Sequence, residues 1–354
     1  MSKAPGPISG VELSRRLGLS HATVSYVLNG QGEKKKIAPA TIKRVQEEAK
    51  KLNYAPMPFA RSLLSRRSGM ISVILGNFKM DWAESAVQGL HRVFDPTDYV
   101  AFVATHGFNE ERNQRELHSF LRRRDNGLIT MPTMGCTDFY RDIARGDTPI
   151  VFLGDQIPEL EKLVSSVIWD PSVAIGSAVS HLVGSGRRRI AFLGVDYPGL
   201  GTLHRFKAFQ SALATHHLHA TREMVSTPPV SQEPEQIVNA ALDQFFSGRT
   251  KPPDAIFALN DGLALPALEA LDRRGLRVPE DVALVGMGDL PMTSHSAIGL
   301  STIPEPTAEM AAMAARLLLD LMEGRQKTPV NKTLPTSEFI ARRTTLGQSR
   351  KAPA

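Results

Sequence analysis

The chain has 354 residues, 42% of them hydrophobic, with a net charge of +6. That is length for two or three compact units and apolar material enough for a core, which excludes global disorder. One cysteine, Cys136, excludes an intrachain disulfide. The opening MSKAPGPISG has no apolar signal core, and no run is long enough to span a bilayer, so a cytoplasmic protein without a membrane partner is expected. The charge is uneven: residues 1–68 hold 13 basic and 4 acidic side chains, the rest 29 and 32. A basic head on a mildly acidic body points to a polyanion met by the head alone.

In chain order, Ile8–Asn29 (ISGVELSRRLGLSHATVSYVLN) reads as two short helices at a corner. Ser9 and Glu12 fit a capping box, Gly18 suits the corner, and Ser20 suits the N-cap of a helix from His21 to Leu28. On that helix Val24, Val27 and Leu28 share one face, while His21, Ala22, Ser25, Tyr26 and Asn29 share the other. A packed face opposite a polar one suits insertion into a major groove, although an ordinary helical hairpin has the same pattern. The loop GQGEKKK, residues 30–36, places three lysines for phosphate contact or for solvent. Pro39 and the spacing of Ile42, Val45, Ala49 and Leu52 predict a third helix, ended by Asn53, Pro56 and Pro58. The connector Met57–Ser68 carries Arg61, Arg66 and Arg67 with Leu63 and Leu64. It forms a short helix on DNA with a leucine in the minor groove, or its leucines pack on the body.

From Gly69 onward short apolar runs alternate with helical stretches. Strands are expected at Met70–Leu75, Val100–Ala104, Gly127–Met131, Pro149–Leu153, Ile190–Gly194, Ala255–Leu259, Val282–Val285 and Leu300–Ile303. Helices are expected around Ala83–Phe94, Glu110–Arg123, Ser172–Val183, Leu203–Thr215, Glu233–Phe246, Leu263–Arg273 and Glu305–Met322. The alternation predicts an α/β fold of parallel sheets covered by helices, in two lobes dividing near Trp169. A cleft between lobes, at the carboxyl ends of strands, is where a small molecule binds. Asn260 and Asp261 follow a strand and either face such a ligand or cap the next helix. Arg205 opens a helix on the same side. No GxGxxG, P-loop, GxSxG or HExxH is present, and His216, His217 and His219 have no cysteine or paired acid beside them. No enzyme, cofactor or metal is expected.

Taken together these stretches resemble the lac repressor family of bacterial transcription regulators, from about Ile8 to Thr345. The residues carrying the resemblance are LSHATVSYVLNG and LNYAPMPFARSL in the head. In the body they are RRRDNGLITMP, GRRRIAFLG, PDAIFALNDGLALPALEAL, RGLRVPEDVALVG and LPTSEFIARRTT. The resemblance implies a helix-turn-helix head over residues 1–55, a hinge helix over 56–69 and a body over 70–345, followed by a tail. The body is expected to resemble periplasmic binding proteins, its lobes being about 70–168 with 304–331, and 169–303 with 332–345. It further implies a homodimer on a pseudo-palindromic double-stranded operator, regulated by a small molecule such as a sugar or anionic sugar derivative. A regulator of the same fold governed by a protein partner or by abundance is the alternative.

By matching, His21 and Ala22 are base readers, Thr23 and Ser25 contact phosphates, and Asn29 makes a backbone contact. Tyr26 stands where an arginine usually reads guanine, and a phenol cannot make that bidentate contact. Ser20 and Arg61 join this set, and Leu63 matches the leucine that intercalates at the operator centre. In the cleft, Arg205 matches an effector-gripping arginine, Asn260 a ligand-facing asparagine and Asp289 the second acid of a pair. Trp82 matches a stacking aromatic, and Asn77 a polar group at a strand end. Gly154 and Gly288 stand where carboxylates bind sugar hydroxyls. With those acceptors missing and Arg205 kept, the expectation is an anionic effector.

Overall fold

The computed structural model describes residues 8, 10–28, 30–52, 54, 68–77, 81–146, 148–197, 201–230, 233–248, 251–335 and 338–346. The expected hinge, residues 56–69, falls almost wholly outside them, as do Ser9 and Asn53. The chain separates into two compact units, Met1–Ser68 and Gly69–Ala354.

The first unit holds three helices: α1 (Gly10–Leu17), α2 (His21–Leu28) and α3 (Pro39–Lys51). Leu13, Leu17, Val24, Val27, Val45 and Ala49 form its core. The corner after α1 is made at Gly18, whose φ of +64° only glycine adopts readily. Glu12 pairs with Arg15 at 2.7 Å and Arg16 at 3.4 Å on α1 itself. Proline at the first turn starts α3, and Ala38 before it offers no side-chain cap.

The second unit has two parallel sheets. Its strands are β1 (Met70–Leu75), β2 (Val100–Thr105), β3 (Gly127–Thr130), β4 (Ile150–Leu153), β5 (Ser165–Trp169), β6 (Ile190–Leu193), β7 (Val225–Ser226), β8 (Ala255–Ala258), β9 (Ala283–Gly288), β10 (Ser301–Pro304) and β11 (Asn331–Leu334). One sheet runs β11-β5-β4-β3-β1-β2 and the other β10-β9-β8-β6-β7. Strands β3, β4, β6 and β8 are buried at every residue, as sheets covered on both faces require. All eight anticipated strands form, within one to three residues at each end.

Three strands escaped the sequence pattern. In β5, SSVIW, two serines interrupt the apolar run, yet both are buried. Ser166 Oγ donates to Asn331 Oδ1 at 2.8 Å, and Ser165 Oγ accepts from Val330 N at 3.1 Å. Their polarity is satisfied by β11, itself a polar edge strand that no hydrophobic count reveals. The two-residue β7 is too short for any pattern. The helix Thr137–Arg145 was also missed, since Tyr140 and Ile143 are its only buried side chains.

The first crossing between sheets follows Trp169, as expected, and the second follows Pro304. The third is displaced from its expected place at Lys332. Strand β11 pairs with β5 through Leu334, so the chain leaves the first lobe only after that residue. It rejoins the second at Ile340, which bridges to Thr302. The helix Thr307–Met322 thus belongs to the first lobe, where it packs along the helix Asp81–Phe94. The two approach so closely at Gly89 that a Cβ there would lie 2.1 Å from the Ala308 carbonyl oxygen. Substituting Gly89→Ala is expected to push the helices apart and destabilise the body by about 1–3 kcal/mol. Urea unfolding of the full chain checks this, and an unchanged midpoint for the body would disprove it.

Candidate nucleic-acid interface and interlobe cleft

In the head, Ser20 caps α2. Its Oγ accepts from Thr23 N at 3.1 Å and lies 2.8 Å from the Thr23 hydroxyl. Val24 and Val27 are buried, which turns His21, Ala22 and Tyr26 outward and leaves Thr23 and Ser25 half-exposed. The exposed polar face expected from the sequence is present on a folded helix. Two features read separately also meet: Lys35 Nζ sits 5.0 Å from the Tyr26 ring centroid. The tyrosine thus anchors one lysine of the basic loop by a cation–π contact. Arg44 donates to the Leu17 carbonyl at 2.5 Å and so closes the end of α1. Gly10 escaped sequence reasoning; a Cβ there would lie 2.8 Å from Tyr54 Oη and 3.2 Å from His21 Nε2. Asn29, Arg61 and Leu63 lie outside the described residues.

In the body, side chains from both lobes converge on Glu305, which follows β10 in the second crossing. Trp82 Nε1, from the first lobe, donates to Glu305 Oε1 at 2.8 Å. Arg205 Nη2, from the helix Gly201–Thr215 of the second lobe, donates to Glu305 Oε2 at 2.9 Å. The Glu305 side chain is only 8% exposed. Arg205 also lies over the Trp169 ring, 5.6 Å from its centroid. Tyr197 packs against Phe108 across the lobes, with ring centroids 4.4 Å apart. Asn260 Nδ2 donates to Tyr197 Oη at 3.4 Å, while Asn260 Oδ1 caps its helix by accepting from Leu263 N at 3.0 Å. Both roles read for Asn260 are therefore compatible. Burial raises the Tyr197 phenol above its ordinary pKa, keeping it a neutral hydroxyl. Asp155 joins the lobes again, its Oδ2 accepting from Gly201 N at 3.1 Å.

The structure thus gathers Trp82, Arg205 and Asn260, and adds Glu305, Tyr197, Phe108 and Asp155. None of the added four carries a local sequence signal beyond its place after a strand. Asn77 is half-buried just past β1. Asp289 has partners within the chain. Its carboxylate is ion-paired with Arg342 at 2.6 Å and accepts from Thr293 Oγ1, which ties the β9–β10 connection to the C-terminal segment. Arg205, from which an anionic effector was expected, is ion-paired with Glu305 of the chain itself. Near Gly288 the acid is Asp261, 1% exposed, accepting from Thr302 Oγ1 at 2.7 Å and Leu290 N at 3.1 Å. His216 lies beside Ser180, its Nε2 2.8 Å from the hydroxyl.

Phe108 is held in the cleft, at φ +56°, by His106. The buried imidazole accepts from Phe108 N at Nδ1 (3.0 Å) and faces the Met131 carbonyl through Nε2 (3.2 Å). Burial lowers its pKa to about 4, with the Arg112 charge adding and the Met131 carbonyl opposing. The ring is therefore neutral at pH 7, with its proton on Nε2. Because its folded pKa lies below the unfolded value of about 6.5, its stabilisation is complete above that pH and fades as pH falls toward 4. His106→Gln is expected to cost about 1–3 kcal/mol at pH 7.5, the gap to the unsubstituted chain narrowing on acidification. Denaturant titrations between pH 7.5 and 4.5 test this; a constant gap would contradict it.

A three-helix head with an exposed polar helix face, in one chain with a two-lobed parallel α/β body, defines the DNA-binding regulators built on a binding-protein body. Comparison with known proteins agrees. A family described as "Bacterial regulatory proteins, lacI family" matches residues 12–57, and one described as "Periplasmic binding protein-like domain" matches 179–345. The transcriptional regulator GntR of Pseudomonas aeruginosa is 28% identical over 319 residues, covering 89% of each chain. The structure of a CelR–cellobiose complex superposes with a TM-score of 0.69 at 24% identity, covering 95% of this chain and 99% of that one. A Lac repressor structure bound to ONPG in the repressed state gives 0.80 at 22%, covering 96% and 99%. Residues 12–57 thus form a lacI-family head and residues 179–345 part of a periplasmic-binding-protein-like body, the domain pair of a DNA-binding transcriptional regulator. Among the described residues no helix is long and apolar enough to cross a membrane.

Proposed function

We propose that this protein is a repressor which, as a homodimer, places two heads on a pseudo-palindromic operator and is governed by a sugar-class small molecule in the interlobe cleft. The observation that carries the DNA half is the outward face of α2, opposite buried Val24 and Val27. His21 and Ala22 read base edges; Thr23, Ser25 and Asn29 hold the backbone, with Ser20 fixing the helix start. Lys34, Lys35 and Lys36, exposed beside Tyr26, add phosphate contacts, and Arg61 and Leu63 meet the minor groove at the operator centre. Trp82, Arg205, Asn260, Tyr197 and Glu305 form the effector site, with Asn77 at its rim. The sugars in the CelR and Lac repressor structures support that class. An effector favouring one lobe arrangement changes how the two heads are presented, and so changes operator affinity.

Selection of duplexes from a random pool with the full chain should enrich a palindromic site. Replacing Lys34, Lys35 and Lys36 with alanine should weaken binding to all sequences alike. The salt slope should shrink by about 0.9 for each phosphate that is no longer neutralised. Equal, salt-insensitive attachment to DNA by the full chain and by a chain lacking residues 1–68 would refute the DNA half.

A further inference from the structure

We infer that Glu305 determines which effectors the cleft accepts: it neutralises Arg205 from within, selects uncharged polyhydroxylated ligands and turns anions away. This rests on the cleft being the effector site, as proposed above. Arg205 is the guanidinium an anionic ligand would seek, yet Glu305 already holds it at 2.9 Å. The same carboxylate is fixed from the other side by Trp82 Nε1 at 2.8 Å, and it is almost wholly shielded from water. An anion reaching Arg205 must displace a carboxylate held by two hydrogen bonds, one of them to a charge. It must also leave that carboxylate buried without its partner, which is the unfavourable half of breaking an enclosed ion pair.

The other charges nearby make the same argument. Asp155 is engaged by the amide of Gly201 at the start of the Arg205 helix. Arg342 is engaged by Asp289 at 2.6 Å. Among the described residues, the guanidinium that faces the cleft is thus already matched by a carboxylate of the chain itself. A neutral polyol can instead donate hydroxyl protons to Glu305 and accept from Arg205 without parting them.

Glu305 also supplies the acceptor that glycine withholds elsewhere. Gly154 has φ +82°, and a Cβ there would lie 3.6 Å from Trp82 Cζ2. Gly288 has φ +137°, and a Cβ there would lie 3.2 Å from Asp261 Oδ2. Neither position can present a carboxylate. The crossing segment brings one in from a third direction, with both lobes already bonded to it.

The chain's two tryptophans, Trp82 and Trp169, flank this pair, so intrinsic fluorescence reports on it directly. The full-length protein and its Glu305→Gln variant, with Glu305→Ala as a second removal of the charge, would be titrated with neutral sugars (ribose, glucose, galactose, cellobiose). Matching anions (gluconate, galacturonate, glucose 6-phosphate) form the second arm, with calorimetry confirming any spectral response. The unsubstituted chain should respond to a neutral member and prefer it at least tenfold over its anionic counterpart. In Glu305→Gln, which keeps the shape and removes the countercharge, that preference should fall at least tenfold, with the anions gaining affinity. An anion bound more tightly than its neutral counterpart by the unsubstituted chain would overturn the role given to Glu305 and leave the cleft reading intact. So would a preference unchanged in both variants. Silence from every compound in all three proteins, each still binding its selected DNA, would overturn the cleft reading itself and select the regulator without a small-molecule effector.

Discussion

The body depends on one carboxylate. Glu305 sits where the chain passes back from the second lobe to the first, and its two oxygens hold Trp82 on one side and Arg205 on the other. A single, nearly buried group is thereby bonded to both walls of the cleft. Phe108 against Tyr197, and Asp155 on the amide of Gly201, reinforce the same approach of the lobes. Since both walls are bonded to Glu305, a molecule entering between them must satisfy or replace those bonds. That requirement couples occupancy to lobe geometry without any further device.

The head is built differently. Its core is six buried apolar side chains on three short helices, and most polar side chains among its described residues are exposed. Ser20 commits its hydroxyl to the first turn of α2, which fixes the helix from which His21 and Ala22 project. Lys35 over the Tyr26 ring links the basic loop to that helix. A tyrosine that cannot read guanine bidentately still has a physical task, because it gives a long-stemmed ammonium a preferred place beside the recognition surface.

Much of this was legible in local pattern. The exposed face of α2 follows from helical period, and eight strands follow from short apolar runs. Local pattern failed where polarity was satisfied at a distance. Ser165 and Ser166 look like loop residues until β11 arrives to bond them, and β11 looks like loop until β5 accepts it. The crossing that the resemblance implied near Lys332 falls instead after Leu334, because β11 pairs with β5. Nor does local pattern show that Arg342, 53 residues on, bonds the Asp289 carboxylate.

By itself the amino-acid order determined the split of charge between head and body, the faces of the short helices and the alternation of strand with helix. Each of these is a property of neighbours along the chain, set by side-chain period and composition. Only tertiary structure decided the electrostatics of the cleft. Trp82 and Glu305 are 223 residues apart, and Arg205 and Glu305 are 100 apart. Nothing local marks an arginine as already paired, since a charge is neutralised by whatever the fold brings within a hydrogen bond of it, and two crossings of the chain were needed to bring this partner there.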